Sequence, residues 1–271
     1  MDLALEGKAA LVTGSSKGIG EAIAARLAAE GATVLVHGRD RARAEQVAGR
    51  IGARGARAFV VTGDLTDDGD VRRLIDSAEA LVGAVDIVVN NAGGSGPLNE
   101  GWTDAHAATW QSAYDRNVLA AVRVTTPLLA GMRKRRWGRI INISSLAATI
   151  TPPSTPYYAA SKAAMNALTA SLAKEVAADG ITVNAVSPGA ILSATLEKRF
   201  REVATERGLA GPDAPWEEVE HAVLPLFAQV PVGRVGQLDE VAAAVAFLAS
   251  PLAGYITGSN LRVDGGVSPV L

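Results

Sequence analysis

Tyr158 and Lys162 stand four residues apart in the run Tyr158-Ala159-Ala160-Ser161-Lys162. On a helix that spacing puts both side chains on one face. A free phenol has a pKa of roughly 10, too high for proton exchange near neutrality, and a neighbouring cation lowers it by favouring the phenolate. A phenol tuned in this way can give a proton to a substrate oxygen, or take one in the reverse direction. The same spacing also suits an ordinary surface pair. Tyr157 has Ser161 four residues on, not a lysine, so Tyr158 is the candidate. Ser144-Ser145 follows the apolar run that ends at Ile143, and would lie at the carboxyl edge of a sheet, where open α/β sheets bind ligands. Ser145 can donate a hydrogen bond to a substrate oxygen there, or simply form the turn. The three histidines, His37, His106 and His221, give little support to a serine–histidine triad; no Gly-x-Ser-x-Gly elbow and no metal-ligand spacing is present.

A second constellation lies near the start of the chain. Thr13-Gly14-Ser15-Ser16-Lys17-Gly18-Ile19-Gly20 follows an apolar run and opens an amphipathic one. A pyrophosphate needs free backbone N–H groups at a helix N-terminus and no bulky side chains at the turn. Gly14, Ser16, Lys17, Gly18, Ile19 and Gly20 meet that need, in the spacing Gly-x-x-x-Gly-x-Gly. The next apolar run ends in Val36-His37-Gly38-Arg39-Asp40. An acidic residue here would bind a ribose 2′-hydroxyl and favour NAD, whereas Gly38 leaves room and Arg39 offers a cation to a 2′-phosphate. Lys17 can pair with the same phosphate. NADP is therefore the expected cofactor, with NAD as the alternative. Arg39 also reads as a solvated loop charge, and Asp40 as the cap of the following helix. Asp64, with Leu65 beside it, stands where an adenine edge would lie; Asp64 reads equally well as a turn or cap residue.

These residues need elements to position them. Short, nearly continuous apolar runs occur at Ala9–Thr13, Thr33–His37, Ala58–Val61, Asp86–Asn90, Arg139–Ser144, Thr182–Ser187 and Asn260–Val263. Such runs suit parallel strands covered on both faces. Amphipathic stretches at Gly18–Glu30, Arg41–Ile51 and Asp70–Val82 separate the early ones, each ending near a glycine: Gly31, Gly52 and Gly83. The alternation predicts an α/β Rossmann fold with a doubly wound, seven-stranded parallel sheet and helices on both faces. No linker interrupts it, so residues 1–271 read as one domain. The stretch from Leu192 to Val235 breaks the rhythm, with Pro212, Pro215, Pro225 and Pro231 among charged helical pieces. It reads as a long irregular substrate lid, followed by a helix at Asp239–Ala249.

Composition narrows the classes. The net charge of −2 argues against a nucleic-acid role, and the basic run Arg133-Lys134-Arg135-Arg136 suits the negative end of a helix dipole. With 48% apolar and 20% charged residues the chain resembles an ordinary globular enzyme. It has no cysteine, which excludes disulfides, thiol catalysis and thiolate metal sites. No signal-peptide pattern and no membrane-length apolar run is seen, so a cytoplasmic protein is expected.

The ordered set Thr13-Gly-Ser-Ser-Lys-Gly-Ile-Gly20, Asp64, Asn90-Asn91-Ala92-Gly93, Asn117, Ser145, Tyr158-x-x-x-Lys162, Pro188-Gly189 and Val263-Asp264-Gly265-Gly266 resembles the short-chain dehydrogenase/reductase family, and in particular its 3-oxoacyl-carrier-protein reductases. The resemblance runs from Lys8 to about Gly266. It implies a hydride transfer between a nicotinamide dinucleotide and a ketone or secondary alcohol. Tyr158 would be the acid/base. Lys162 would lower its pKa and grip the nicotinamide ribose, Ser145 would make the second bond to the substrate oxygen, and Asn117 would hold a water of a proton relay. Asn91, Ala92 and Gly93 would pass beside the adenosine ribose, while Pro188, Gly189 and Ile191 would flank the nicotinamide. Ser193 stands where the family often has Thr. Substrate choice would rest with Ser95–Leu98, Leu146–Pro153 and the lid. A homotetramer is implied, with the small residues Ala159, Ala160, Ala163, Ala164 and Ala167 packing a helix against a partner or within the chain; the segment Tyr255–Gly266 looks like a second interface. A dinucleotide-binding sensor is the alternative from another class, and the intact Ser145, Tyr158 and Lys162 argue against it.

Overall fold

The structure, a computed structural model, describes residues 2–96 and 101–269. Seven apolar runs form strands: β1 Ala9–Val12, β2 Thr33–His37, β3 Ala58–Val61, β4 Ile87–Asn90, β5 Gly138–Ile143, β6 Ile181–Pro188 and β7 Asn260–Val263. They pair in parallel in the order β3-β2-β1-β4-β5-β6-β7. The order reverses between β1 and β4. Their carboxyl ends therefore face one crevice, the place where such sheets take ligands.

Helices cover both faces: α1 Gly18–Ala29, α2 Arg41–Gly52, α3 Asp68–Val82, α4 Ala107–Tyr114, α5 Ala120–Arg135, α6 Ala147–Ile150, α7 Pro156–Val176, α8 Ala194–Glu206, α9 Trp216–Phe227 and α10 Leu238–Ala249. Successive strand residues point to opposite faces, and the core divides accordingly. Val12, Val34, Val36 and Ile141 join Ile23 and Leu27 of α1 and Val241 and Val245 of α10. Leu11, Leu35, Val88 and Ile140 join Leu74 of α3, Leu128 of α5 and Ala173 of α7. Full burial of each of these valine, leucine and isoleucine side chains stabilises by roughly 1.5–3 kcal/mol.

The helix ends follow local chemistry. Asp40 caps α2 by accepting from the Arg43 N–H, as expected. Asp67, not Asp64, caps α3, through the Asp70 N–H. Gly31 and Gly83 take the left-handed backbone expected past a helix, but α2 runs through Gly52 and the positive φ falls on Gly55.

A buried polar ladder ties the sheet to the helices beneath the crevice. The Asn90 amide donates to Asn142 Oδ1 at 2.8 Å and to Thr125 Oγ1 at 2.9 Å, and the Asn142 amide donates to Thr169 Oγ1 at 2.9 Å. It joins β4, β5, α5 and α7, the elements that carry Asn117, Ser145 and Tyr158 at their ends. Asn90 Oδ1 is left buried without a partner, but the amide donors are paired, and losing those bonds would be costly, so the ladder favours one register.

Residues 192–235 are more ordered than the irregular lid expected from their prolines. α8 and α9 pack on each other through Phe200, Val203, Val219, Val223 and Leu224. Phe200 stacks on Trp216 at 5.8 Å and meets Phe227 at 4.8 Å. Pro215 is the N-cap of α9, where its missing N–H costs little, whereas Pro225 sits inside the helix, in its last turn.

Candidate active site

Ser145 follows β5, and Tyr158 and Lys162 lie in the first two turns of α7. The Ser145 hydroxyl lies beside the Tyr158 phenol and favours its ionised form. The Ser145 hydroxyl accepts from the Ala147 N–H at 3.1 Å, so the turn into α6 holds its rotamer. Lys162 is buried; its ammonium donates to the Ile143 carbonyl at 2.7 Å and lies 5.8 Å from the Tyr158 ring centre. Ser144 is buried and donates to the Lys162 carbonyl at 3.2 Å, locking α7 against the end of β5. The three predicted groups are therefore brought together.

Their ionisation differs from the expectation. Burial raises the Tyr158 phenol above its usual value, and the Ser145 hydroxyl only partly offsets this. Burial lowers Lys162 from 10.5 to about 8. Desolvation favours the neutral form of each group, so without further groups in the crevice Tyr158 is held as a protonated phenol.

Asn117 lies in a single π-turn, Asp115–Leu119, between α4 and α5. Such bulges carry an extra residue and re-aim side chains. The Asn117 amide donates to the carbonyls of Ala113 and Gly94 and to Ser161 Oγ, at 2.9, 3.2 and 3.1 Å, and its oxygen accepts from the Gly94 N–H at 2.9 Å. It thus clamps the loop after β4 to α7. A Cβ on Gly93 would run into the Asn117 oxygen.

The glycine-rich turn fits a dinucleotide pyrophosphate. Gly14 has φ +63°, and a Cβ there would come 2.9 Å from the Ala92 Cα, so β1 and β4 can approach only with glycine at this position. Gly18 has φ +59°, and its missing side chain opens onto free space. The N-cap of α1, Lys17, makes no side-chain cap bond. Gly18, Ile19 and Gly20 thus offer N–H donors at the positive end of a twelve-residue helix, which is what an anion requires. Asn91 supports the turn, its amide donating to the carbonyls of Thr13 and Gly14 at 2.9 and 3.1 Å.

At the ends of β2 and β3, Arg39, Thr62, Gly63, Asp64, Asp70 and Arg73 line a polar cavity of about 400 Å³. Arg39 is exposed and pairs with Asp64 at 3.7 Å. Asp64 forms the turn, accepting from the Thr66 N–H and hydroxyl, and these bonds hold its carboxyl below the usual carboxylate range. Lys17 is exposed at the head of α1 and is not among the residues lining this cavity. The space beside Gly38 is taken by Ser16, whose Oγ lies 2.9 Å from where a Cβ on Gly38 would be. The Leu65 side chain packs in the core, leaving its backbone to face outward groups; its carbonyl accepts from Arg123.

Pro188 ends β6, and the Gly189 N–H donates to the Val263 carbonyl at 2.9 Å. Ile191 is buried and bridges Gly236. Ser193 caps α8 by accepting from the Leu196 N–H at 3.2 Å. Among the expected substrate-facing stretches, Pro97 and Leu98 lie outside the described residues.

Several supports of the site lie outside the roles that the sequence motifs suggest. Thr13 Oγ1 accepts from the Asn91 and Ala92 N–H groups, both at 3.0 Å, and donates to the Val89 carbonyl. His37 and Ser15 brace the glycine turn. The available signal was a polar residue in an otherwise apolar strand: Thr13, His37 and Asn142 all stand in such runs.

A doubly wound sheet with a tyrosine, a lysine and a serine at its carboxyl edge defines a class of oxidoreductase. The family model for short chain dehydrogenases matches residues 8–204. The 3-oxoacyl-[acyl-carrier-protein] reductase FabG of Vibrio cholerae is 39% identical over 97% of this chain and 98% of that protein. Its namesake from Escherichia coli is 38% identical over 97% and 98%. The L-sorbose reductase of Gluconobacter frateurii, solved with NADPH and L-sorbose, superimposes with a TM-score of 0.92 at 35% identity, each chain covered completely. A 7α-hydroxysteroid dehydrogenase solved with NADH and 7-oxo glycochenodeoxycholic acid gives 0.85 at 34% identity, over 100% of this chain and 98% of that one. The chain belongs to the short-chain dehydrogenase family, and is an NAD(P)-dependent oxidoreductase acting between C=O and CH–OH groups.

Proposed function

We propose that this chain is an NADP(H)-dependent reductase of a ketone to a secondary alcohol, with Tyr158 as the acid/base. The observation that carries the reading is the Tyr158–Ser145 hydroxyl pair, backed by the buried Lys162 ammonium. The nicotinamide, when bound, supplies or accepts the hydride. Tyr158 gives its phenolic proton to the substrate oxygen as that oxygen gains negative charge. A phenol kept protonated by burial suits this direction near neutral pH. Ser145 makes a second hydrogen bond to the same oxygen. Lys162 adds positive charge beside the phenol, favouring the phenolate as it forms, and holds the nicotinamide ribose. Asn117 holds the Gly93-Gly94 loop against α7 and binds a relay water.

Ser16, Gly18, Ile19 and Gly20 would receive the pyrophosphate, with Gly14 shaping the turn beneath it. Asp64, Leu65, Asn91, Ala92 and Gly93 would border the adenosine, and Pro188, Gly189 and Ile191 the nicotinamide. Arg39 and Lys17 would share a 2′-phosphate; Arg39 must exchange its exposed Asp64 partner for it, a pair worth only about 0–1 kcal/mol. The reductase solved with NADPH supports this choice, and the steroid enzyme solved with NADH keeps NAD in view. α8 and α9 would form a substrate lid within a single 271-residue domain, in a cytoplasmic homotetramer.

Titration of the protein with NADPH and NADH, followed by nicotinamide fluorescence, tests the cofactor. The double variant Arg39→Ala/Lys17→Ala should weaken NADPH roughly tenfold or more while leaving NADH within about twofold, as loss of charge-assisted phosphate bonds requires. Equal losses for both would refute the assignment of those cations.

A further inference from the structure

We infer that His37, in its Nε2-protonated form, is a positioning residue for the dinucleotide: it holds the glycine-rich turn in its binding shape by accepting a hydrogen bond from the Gly14 N–H. The inference rests on the dinucleotide reading above and deepens it.

His37 ends β2 with its imidazole buried. The Gly14 N–H donates to Nδ1 at 3.0 Å, and Nε2 lies 3.2 Å from the Gly63 carbonyl. A backbone N–H can only donate and a carbonyl can only accept. Nδ1 must therefore be bare and Nε2 must carry the proton, so the two contacts together define one neutral tautomer. The ring spans the carboxyl ends of β1, β2 and β3. Its backbone joins the same brace: the Ser15 N–H donates to the His37 carbonyl at 2.8 Å, and the His37 N–H donates to Ser15 Oγ at 2.9 Å.

Gly14 is the point where this brace matters. Its φ of +63° and its close approach to Ala92 admit only glycine at this position. Its N–H, turned inward to His37, is unavailable to an anion. The N–H groups of Gly18, Ile19 and Gly20 are left as the outward set. His37 does not touch the phosphates; it sets the turn whose other end presents them.

Protonation of the ring would give Nδ1 a hydrogen and abolish the Gly14 bond, since both nitrogens then donate. The charged groups facing the ring are Asp64, which favours the cation, and Arg39, which opposes it; burial opposes it more strongly and lowers the pKa below 6.5. The neutral clasp is thus intact at neutral pH and fails only on the acid side.

The test uses three variants, each checked by circular dichroism and by unchanged thermal unfolding cooperativity. His37→Asn keeps an acceptor near the Nδ1 position and loses the Gly63 contact. His37→Gln keeps a donor near the Nε2 position and loses the acceptor. His37→Phe loses both at similar volume. The expected result is an NADPH Kd roughly tenfold weaker for His37→Phe and His37→Gln, and within about threefold of wild type for His37→Asn, the span that one unmade buried hydrogen bond covers. The kcat at saturating NADPH should change less than the KM for NADPH. Wild-type affinity should fall on the acid side, at pH values below the depressed His37 pKa, and more steeply than in His37→Asn. Equal binding by all four proteins, or rescue by His37→Gln and not by His37→Asn, overturns the inference. If wild-type protein binds neither NADPH nor NADH, the dinucleotide reading itself falls, and this inference with it.

Discussion

At the scale of single residues, burial acts on Tyr158 and Lys162 in one direction, pushing each toward its neutral form. For Lys162 this has a consequence for stability. Its pKa is 10.5 when exposed and about 8 in the fold, so between these values the unfolded chain binds more protons. Stability then rises with pH across that window, and below pH 8 the buried charge is a cost borne by the folded state. Urea unfolding should show Lys162→Met more stable than wild type at pH 7 by up to about 3 kcal/mol, with a gap of only about 1 kcal/mol left at pH 9.5. A constant gap would mean that the lysine is not desolvated as described. The Tyr158–Lys162 pairing was legible because its spacing is local, and the Gly14–Gly20 turn for the same reason. The sign of the Tyr158 shift was not, because it depends on enclosure by residues distant in the chain. The Arg39–Asp64 pair was hidden likewise: the two residues lie on different strands' ends and meet only in the fold.

At the scale of elements, the strands could be read closely because both sheet faces are covered, which keeps their runs apolar throughout. The segment 192–235 could not, since four prolines disrupt the helical period while Phe200, Trp216 and Phe227 supply a core that only the folded pair reveals. That core is separate from the two beside the sheet. Phe200→Ala should therefore act locally, at roughly 3–5 kcal/mol of packing. Amide exchange should accelerate over residues 194–227 and remain slow in β1, β4, β5 and β6. If α8 and α9 form the lid, substrate KM should rise while NADPH affinity is kept; a matching loss of NADPH affinity would contradict that role. The π-turn at Asn117 was also invisible beforehand, because one extra residue in a helix leaves no mark on composition.

At the scale of the molecule, the active-site helix divides its small residues between two environments. Ala159 is buried within the chain, whereas Ala160, Ala163 and Ala167 are exposed on α7. Exposed alanines allow close approach of a second helix, and Leu252 and Tyr255 near the carboxyl end add a separate exposed apolar area. Two surfaces of this kind fit a tetramer with closed symmetry. Sedimentation velocity should find wild type as a tetramer and Ala163→Arg as a dimer or monomer, since a charge buried at a tight helix contact is strongly unfavourable. A monomeric wild type, or an unchanged tetramer in the variant, would remove α7 as an interface.

The measurement that bears most directly on the central claim is a paired assay of Tyr158→Phe. NADPH affinity is measured by fluorescence titration, and single-turnover ketone reduction is measured at saturating NADPH. Removing one hydroxyl should leave the Kd within about twofold and lower the rate by roughly 10²–10⁴, the usual contribution of a positioned acid. A variant that binds NADPH normally and reduces ketones at the wild-type rate would contradict Tyr158 as the proton donor.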